Sequence, residues 1–166
     1  LVYSLPDFWL ALMLLLTFAY WIPALPAGGM TDPVLHDFMS PMRALLDVGK
    51  HLVLPLLTLT LIISAVVARF QRSALFETLH LDFMRSARAK GVPEPELIGR
   101  HALRNSLLPM ITLAGLAFPT LLGGAVFVER VFNWPGMGSM VVMAIAARDY
   151  ALVVGAVVVG GFMVVV

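Results

Sequence analysis

The sequence has no cysteine, which excludes disulfides, thiolate metal sites and cysteine nucleophiles together. Charge is scarce: Asp, Glu, Lys and Arg make up 13% of the residues, against about 25% in a soluble domain. No G-x-x-x-x-G-K-[ST] run occurs, so the chain has no phosphate-cradling loop of that kind. Gly136-Met137-Gly138 does not open a dinucleotide fingerprint either, because position 141 is Val. The first residue is Leu1, with no Met and no basic leader ending in a cleavage site, and Val166 falls inside an apolar run. The expected reading is a fragment of a longer polytopic protein.

What remains is apolar. Hydrophobic residues are 60% of the chain and the mean hydropathy is +0.94, which points to an all-α integral membrane protein, a polytopic bundle of transmembrane helices. The net charge of +1 carries little meaning, and nucleic acid is not an expected partner. Four spans are predicted at about 8–27, 52–68, 106–128 and 151–166 of a single domain, each near the ~20 residues that cross a bilayer core or cut short by the sequence end. None of them contains Asp, Glu, Lys, Arg or His.

The first span carries Trp9, Tyr20 and Trp21 near its ends and stops at Pro23, Pro26, Gly28 and Gly29. In the second, Pro55 is expected in the first turn, and Thr58, Thr60 and Ser64 are expected to return their hydroxyls to the helix or reach a neighbour. The third holds Pro109, Gly115, Pro119, Gly123 and Gly124, a pattern for close packing and kinking. Loops 28–51 and 129–150 are read as outer. In the first of these, a short helix is expected over Pro41–Val48, and His36 and His51 have no ligand spacing. In the second, an aromatic turn at Phe132–Gly138 leads into a helix from about Ser139.

Loop 69–105 holds seven of the eleven Lys and Arg residues: Arg69, Arg72, Arg85, Arg88, Lys90, Arg100 and Arg104. Basic residues gathered between two spans mark the side that is not translocated, so this is the cytoplasmic loop. Asp82 is expected to cap a helix over Phe83–Lys90, Gly91 to end it in a left-handed conformation, and Pro93-Glu94-Pro95-Glu96 to start a second helix running through His101 and Asn105. Glu96 and Arg100 stand four apart in the favourable order. Small residues Ser86, Ala87 and Ala89 amid basic ones suit either a docking surface or contact with anionic lipid headgroups.

Arg85-Ser86-Ala87-Arg88-Ala89-Lys90-Gly91, then His101-Ala102-Leu103-Arg104-Asn105 and Leu107-Leu108-Pro109, resemble the cytoplasmic signature of permease subunits of bacterial ABC importers of the dipeptide, oligopeptide and nickel class. Val128-Glu129, Val131-Phe132, Trp134-Pro135-Gly136-Met137-Gly138 and Arg148-Asp149-Tyr150 resemble the same class in the same order. Of the broader importer signature, Ala87, Gly91 and Leu103 match. Arg85, Ser86, His101 and Arg104 replace its Glu, first Ala, Ile and Pro, so a Glu-mediated ion pair with the ATPase is not carried over.

The resemblance implies a transport subunit and no enzyme, with Arg85 to Gly91 as a coupling helix in a cleft of an ABC ATPase. ATP and Mg would sit on that partner, and no cofactor on this chain. It further implies a second homologous permease, an extracytoplasmic solute-binding protein, a bacterial inner-membrane location and two more spans before Leu1. The mechanism implied is alternating access, with ATP binding one state better than the other. The alternative is an ion-coupled carrier or channel whose basic loop binds lipid. It would call for charged or discontinuous spans near the midplane, and these spans carry no charge.

Overall fold

The computed structural model describes residues 5–122 and 125–165. Every regular element among them is helical: α1 (Asp7–Leu15), α2 (Pro41–Leu79), α3 (Asp82–Ala89), α4 (Glu94–Glu96), α5 (Leu103–Ser106), α6 (Leu108–Leu122), α7 (Val126–Val131), α8 (Met137–Ala147) and α9 (Tyr150–Val165). Wider π turns extend α1 over Leu16–Trp21 and join α4 to α5 over Leu97–Ala102, and a 3-10 turn covers His36–Phe38. Contacts group into two compact units, Leu1–Ile62 with Pro119–Val166 and Ile63–Phe118.

The largest departure from the sequence reading is α2. Instead of a short helix over Pro41–Val48 and a separate span over 52–68, the chain forms one helix of 39 residues, nearly twice the ~20 that a bilayer core needs. Gly49 lies inside it, and a single helical glycine costs only about 1 kcal/mol relative to Ala, too little to stop a helix with apolar residues on both sides. Pro55 is therefore in the helix interior and not in a first turn. It leaves the His51 carbonyl without its intrahelical N–H. One turn on, the Thr58 hydroxyl donates to the Leu54 carbonyl at 2.9 Å, and both side chains are buried.

Among the described residues, α2 alone is long and apolar enough to cross a membrane; Asp7–Trp21, Met137–Ala147 and Tyr150–Met163 are shorter apolar helices. The first helix stops at Trp21, short of the expected Ala27, because Ile22 leaves helical geometry ahead of Pro23. The expected third span is interrupted at Leu107, just before Pro109. Pro109 has no N–H to return to the Asn105 carbonyl and is tolerated in a first turn, so α5 ends and α6 begins here. Gly123 and Gly124, also named for that span, lie outside the described residues.

In the first unit, Ala11, Leu54, Val128 and Phe132 form a buried core, packed by Leu14, Leu15, Phe18, Leu25 and Leu59 among others. Gly28 and Gly29 lie against its edge. The Gly29 N–H donates to the Phe132 carbonyl at 2.8 Å, and a Cβ on Gly28 would stand 2.8 Å from the same oxygen. In the second unit, Met84, Leu97 and Ala102 are fully buried among Leu75, Leu79, Ala87 and Val92.

Candidate functional site

The basic segment forms a small folded body in the second unit. α2 unwinds through turns at His80 and Leu81, whose N–H groups donate to Glu77 and Thr78 carbonyls. Leu81 is thereby extended and becomes the residue before α3, while Asp82 is its first helical residue and makes no side-chain cap. The sequence expectation of an Asp82 cap is corrected on this point. Its carboxylate still lies in the first turn, where the helix dipole favours it, 3.8 Å from Arg85 Nη1. Gly91 takes φ +81° and nothing lies within 4 Å of where its Cβ would be, so backbone conformation, not crowding, selects glycine there. Val92 N–H returns to the Ala87 carbonyl at 3.3 Å and closes the turn.

From Pro93 the chain enters α4 and continues as helix to Ser106. The two arms are tied across the turn. Arg88 Nη2 donates to Glu94 Oε1 at 2.8 Å and its Nε to Oε2 at 3.3 Å, a fork-to-fork pair. It holds the Glu94 carboxyl below the usual carboxylate range and raises Arg88. Arg88 is thus already paired within the chain. Arg100 pairs with Glu96 at 3.2 Å. Lys90 and Arg104 are exposed and make no ion pair among the described residues, so Arg85, Lys90 and Arg104 carry the outward positive charge. Ser86 donates to the Asp82 carbonyl and Asn105 to the His101 carbonyl; His101 is half-buried and Leu103 is exposed.

Beneath this surface the helical period sets the packing. Gln71, Leu75, Thr78 and Leu79 recur at the spacing of one face of α2, and Leu75 and Leu79 meet the Met84–Leu97–Ala102 core. At the end of the stripe, Gln71 Nε2 donates to Ser106 Oγ at 2.8 Å, and Ser106 Oγ donates to the Leu103 carbonyl at 3.0 Å. Gln71 Oε1 is buried without a partner, and an unsatisfied buried acceptor costs about 1–3 kcal/mol. Nothing in the local sequence flags this link, since its ends stand 35 residues apart.

The outer-loop motif is a second construction, in the first unit. Glu129 on α7 is buried, and its carboxylate accepts the Ser139 N–H at 2.6 Å and the Gly138 N–H at 3.4 Å. These are free donors at the start of α8, so the carboxylate satisfies them and complements the helix dipole. Gly136 and Gly138 make room: a Cβ at Gly136 would overlap the Glu129 carboxylate, and one at Gly138 would lie 2.7 Å from Val126 Cγ2. Phe132 is buried, Asn133 takes φ 47°, and Trp134 N–H donates to the Glu129 carbonyl at 2.8 Å. Trp134 and Pro135 then line an apolar groove of about 400 Å³ with Leu52, Pro55, Leu56 and Leu59. Arg148 and Asp149 form the joint between α8 and α9. Arg148 ends α8 with φ 56°, and Asp149 Oδ1 accepts the Leu152 N–H at 3.1 Å.

A third cluster escaped the sequence reading. Asp47 on α2 accepts the Asp32 N–H at 2.9 Å and meets His36 Nδ1 at 2.8 Å through the same oxygen, and its other oxygen lies 3.3 Å from His51 Nδ1. Only the i,i+4 spacing of Asp47 and His51 was legible beforehand. Among the described residues, no group of three or more His, Asp or Glu is arranged to hold a metal ion.

Among the described residues the chain combines a 39-residue helix with a stretch long and apolar enough to cross a membrane, a basic helix–turn–helix body and an internally capped turn, an all-α architecture that fits a membrane component. Residues 1–166 match the family described as binding-protein-dependent transport system inner membrane component, and the chain belongs to that family. It is 41% identical over 164 residues to the di/tripeptide transport system permease protein of Pseudomonas aeruginosa, covering 91% of this chain and 48% of that one. It is 39% identical over 150 residues to the glutathione transport system permease protein of Escherichia coli, covering 90% and 44%. A candidate peptide permease of Brucella ovis is 42% identical over 163 residues, covering 98% and 49%. The chain spans about half the length of these curated relatives.

Proposed function

We propose that the chain is part of the permease subunit of an ATP-driven, binding-protein-dependent importer of peptides or a related small solute, lying as a multi-pass protein in a bacterial cytoplasmic membrane. The observation that carries this reading is the folded body around Gly91. Two helical arms joined by a left-handed glycine, tied by Arg88–Glu94 and a buried Met84–Leu97–Ala102 core, leave Arg85, Lys90 and Arg104 exposed. A basic body of this kind suits a cleft in an ATPase, which carries the ATP and Mg that this chain has no loop to hold.

In this reading Arg85, Ser86, Lys90 and Gly91 meet the ATPase while Ala87 packs inward on the Met84–Leu97–Ala102 core, and His101, Leu103, Arg104 and Asn105 continue the contact along the second arm. ATP closes two such ATPases and drives this permease and a homologous partner permease from one orientation to the other. Near-complete switching requires ATP to favour one state by about 5 kcal/mol. Residues of the Glu129 turn shape the face towards an extracytoplasmic solute-binding protein.

The test is affinity purification of the full-length subunit from native membranes with mass spectrometry of its companions, for the parent, Gly91→Trp, and the surface variant Arg85→Glu/Lys90→Glu. A P-loop ATPase and a second permease with the parent, and loss of the ATPase with both variants, support the reading. A parent recovered alone or as a homo-oligomer overturns it.

A further inference from the structure

We infer that Gln71 and Ser106 form a positioning link that makes the inner end of α2 and the α5–α6 joint move together, so that displacement of the basic body reaches α6. This inference rests on the importer reading above. The reasoning is mechanical. α3 and the π turn between α4 and α5 are bound to α2 by the buried Met84, Leu97 and Ala102 with Leu75 and Leu79. Immediately after Ser106 the helix is interrupted at Leu107 before α6 starts, with Pro109 in its first turn. A push delivered to α3 would be absorbed at that interruption unless the joint were held.

The Gln71 amide holds it. Ser106 is 1% exposed, and its hydroxyl proton is committed to the Leu103 carbonyl, so the oxygen is left to accept from Gln71 Nε2 at 2.8 Å. Leu107 N–H also donates to the Leu103 carbonyl. Ser106 Oγ and Leu107 N–H therefore share the Leu103 carbonyl as acceptor, and Gln71 is tied to that pair through Ser106 Oγ.

Paired spin labels are placed on cysteines introduced at Phe83 on α3 and Leu108 on α6, both exposed, in the full transporter with any other reactive cysteine replaced. Distances are measured without nucleotide and after trapping with ATP and vanadate, alongside ATP hydrolysis. The expected parent result is one narrow distance in each state. Gln71→Leu and Ser106→Ala should keep ATP hydrolysis and ATPase recovery but lose the single distance in the trapped state, and Ser106→Thr, which retains the hydroxyl, should restore it. The inference is overturned if Gln71→Leu keeps the parent distances, or if Ser106→Thr behaves like Ser106→Ala. Failure to recover an ATPase with the parent would instead sink the importer reading. The nucleotide-free distances then decide the link alone, and a narrow distance in Gln71→Leu as in the parent overturns it.

Discussion

The Glu129 carboxylate and the Ser139 backbone N–H are joined by a 2.6 Å hydrogen bond, and this contact explains most of the outer-loop motif. A buried acid that makes no ion pair among the described residues is accommodated here because the first amides of α8 are aimed at it. Two glycines leave the space that it occupies.

Removing that carboxylate should therefore cost stability. Glu129→Ala is expected to destabilise the detergent-solubilised subunit by about 2 kcal/mol, the combined effect of losing a charge-assisted bond and a helix cap. Gly136→Ala should do similar damage by displacing the intact carboxylate, although φ −150° suits any residue. The two changes act on one contact, so the double variant should cost much less than their sum. Additive losses in thermal unfolding would show that the glycine serves some other purpose.

Arg88 and Glu94 give a pH prediction. Glu94 is held below the usual carboxylate range by Arg88, so the pair's contribution is present above the unfolded-state value of Glu94 and is lost as pH falls through the lowered folded value. Between about pH 6 and 8 no change is expected, since both groups keep their charge. Hydrogen exchange at Lys90, Gly91 and Val92, corrected for intrinsic rates, should quicken only in acid. High salt should quicken it modestly at neutral pH, because the pair is exposed. The exchange of Arg88→Glu with Glu94→Arg should restore much of what Arg88→Glu alone loses.

Much of the basic body was legible because its signals are local. A glycine after a run with no Pro or Gly, a Pro-Glu-Pro-Glu start and a Glu96–Arg100 pair act within one or two turns, where backbone chemistry decides. What was not legible acts through space or by competition. Gln71 finds Ser106 and Asp47 finds His36 only once the chain is folded. Gly49 and Pro55 are breakers by local rule, yet α2 runs through both, since burial of Leu54 and Thr58 outweighs a local preference of a few kcal/mol. The role of Glu129 was hidden for the opposite reason: its motif was recognised, but capping depends on a bend that brings α8 back over α7.

Asp47 should act as a clamp on the segment 32–38. It holds the Asp32 N–H and the His36 ring while Asp32 itself caps Val34 and Leu35 N–H groups at 2.8 and 2.9 Å. Those bonds place Asp32 below the usual carboxylate range. Asp47→Ala is expected to free the segment, read as faster hydrogen exchange over 32–38 with little change over α3. Asp47→Asn, which keeps one acceptor oxygen, should fall between. Equal exchange in parent and Asp47→Ala would mean that Asp32 alone orders the turn.

Arg148 and Asp149 make opposite predictions from adjacent positions. Arg148 has φ 56° at the end of α8, a left-handed conformation that costs an L-residue about 1 kcal/mol and glycine almost nothing. Arg148→Gly should therefore leave stability unchanged or raise it by up to about 1 kcal/mol. Asp149→Ala removes the acceptor for Leu152 N–H at the start of α9 and should cost about 1 kcal/mol. If Arg148→Gly is stable yet slows transport in the full importer, the guanidinium acts on a partner or on the solute and the backbone does not need it. If Arg148→Gly transports normally while Asp149→Ala does not, the pair serves the fold as the joint between two helices.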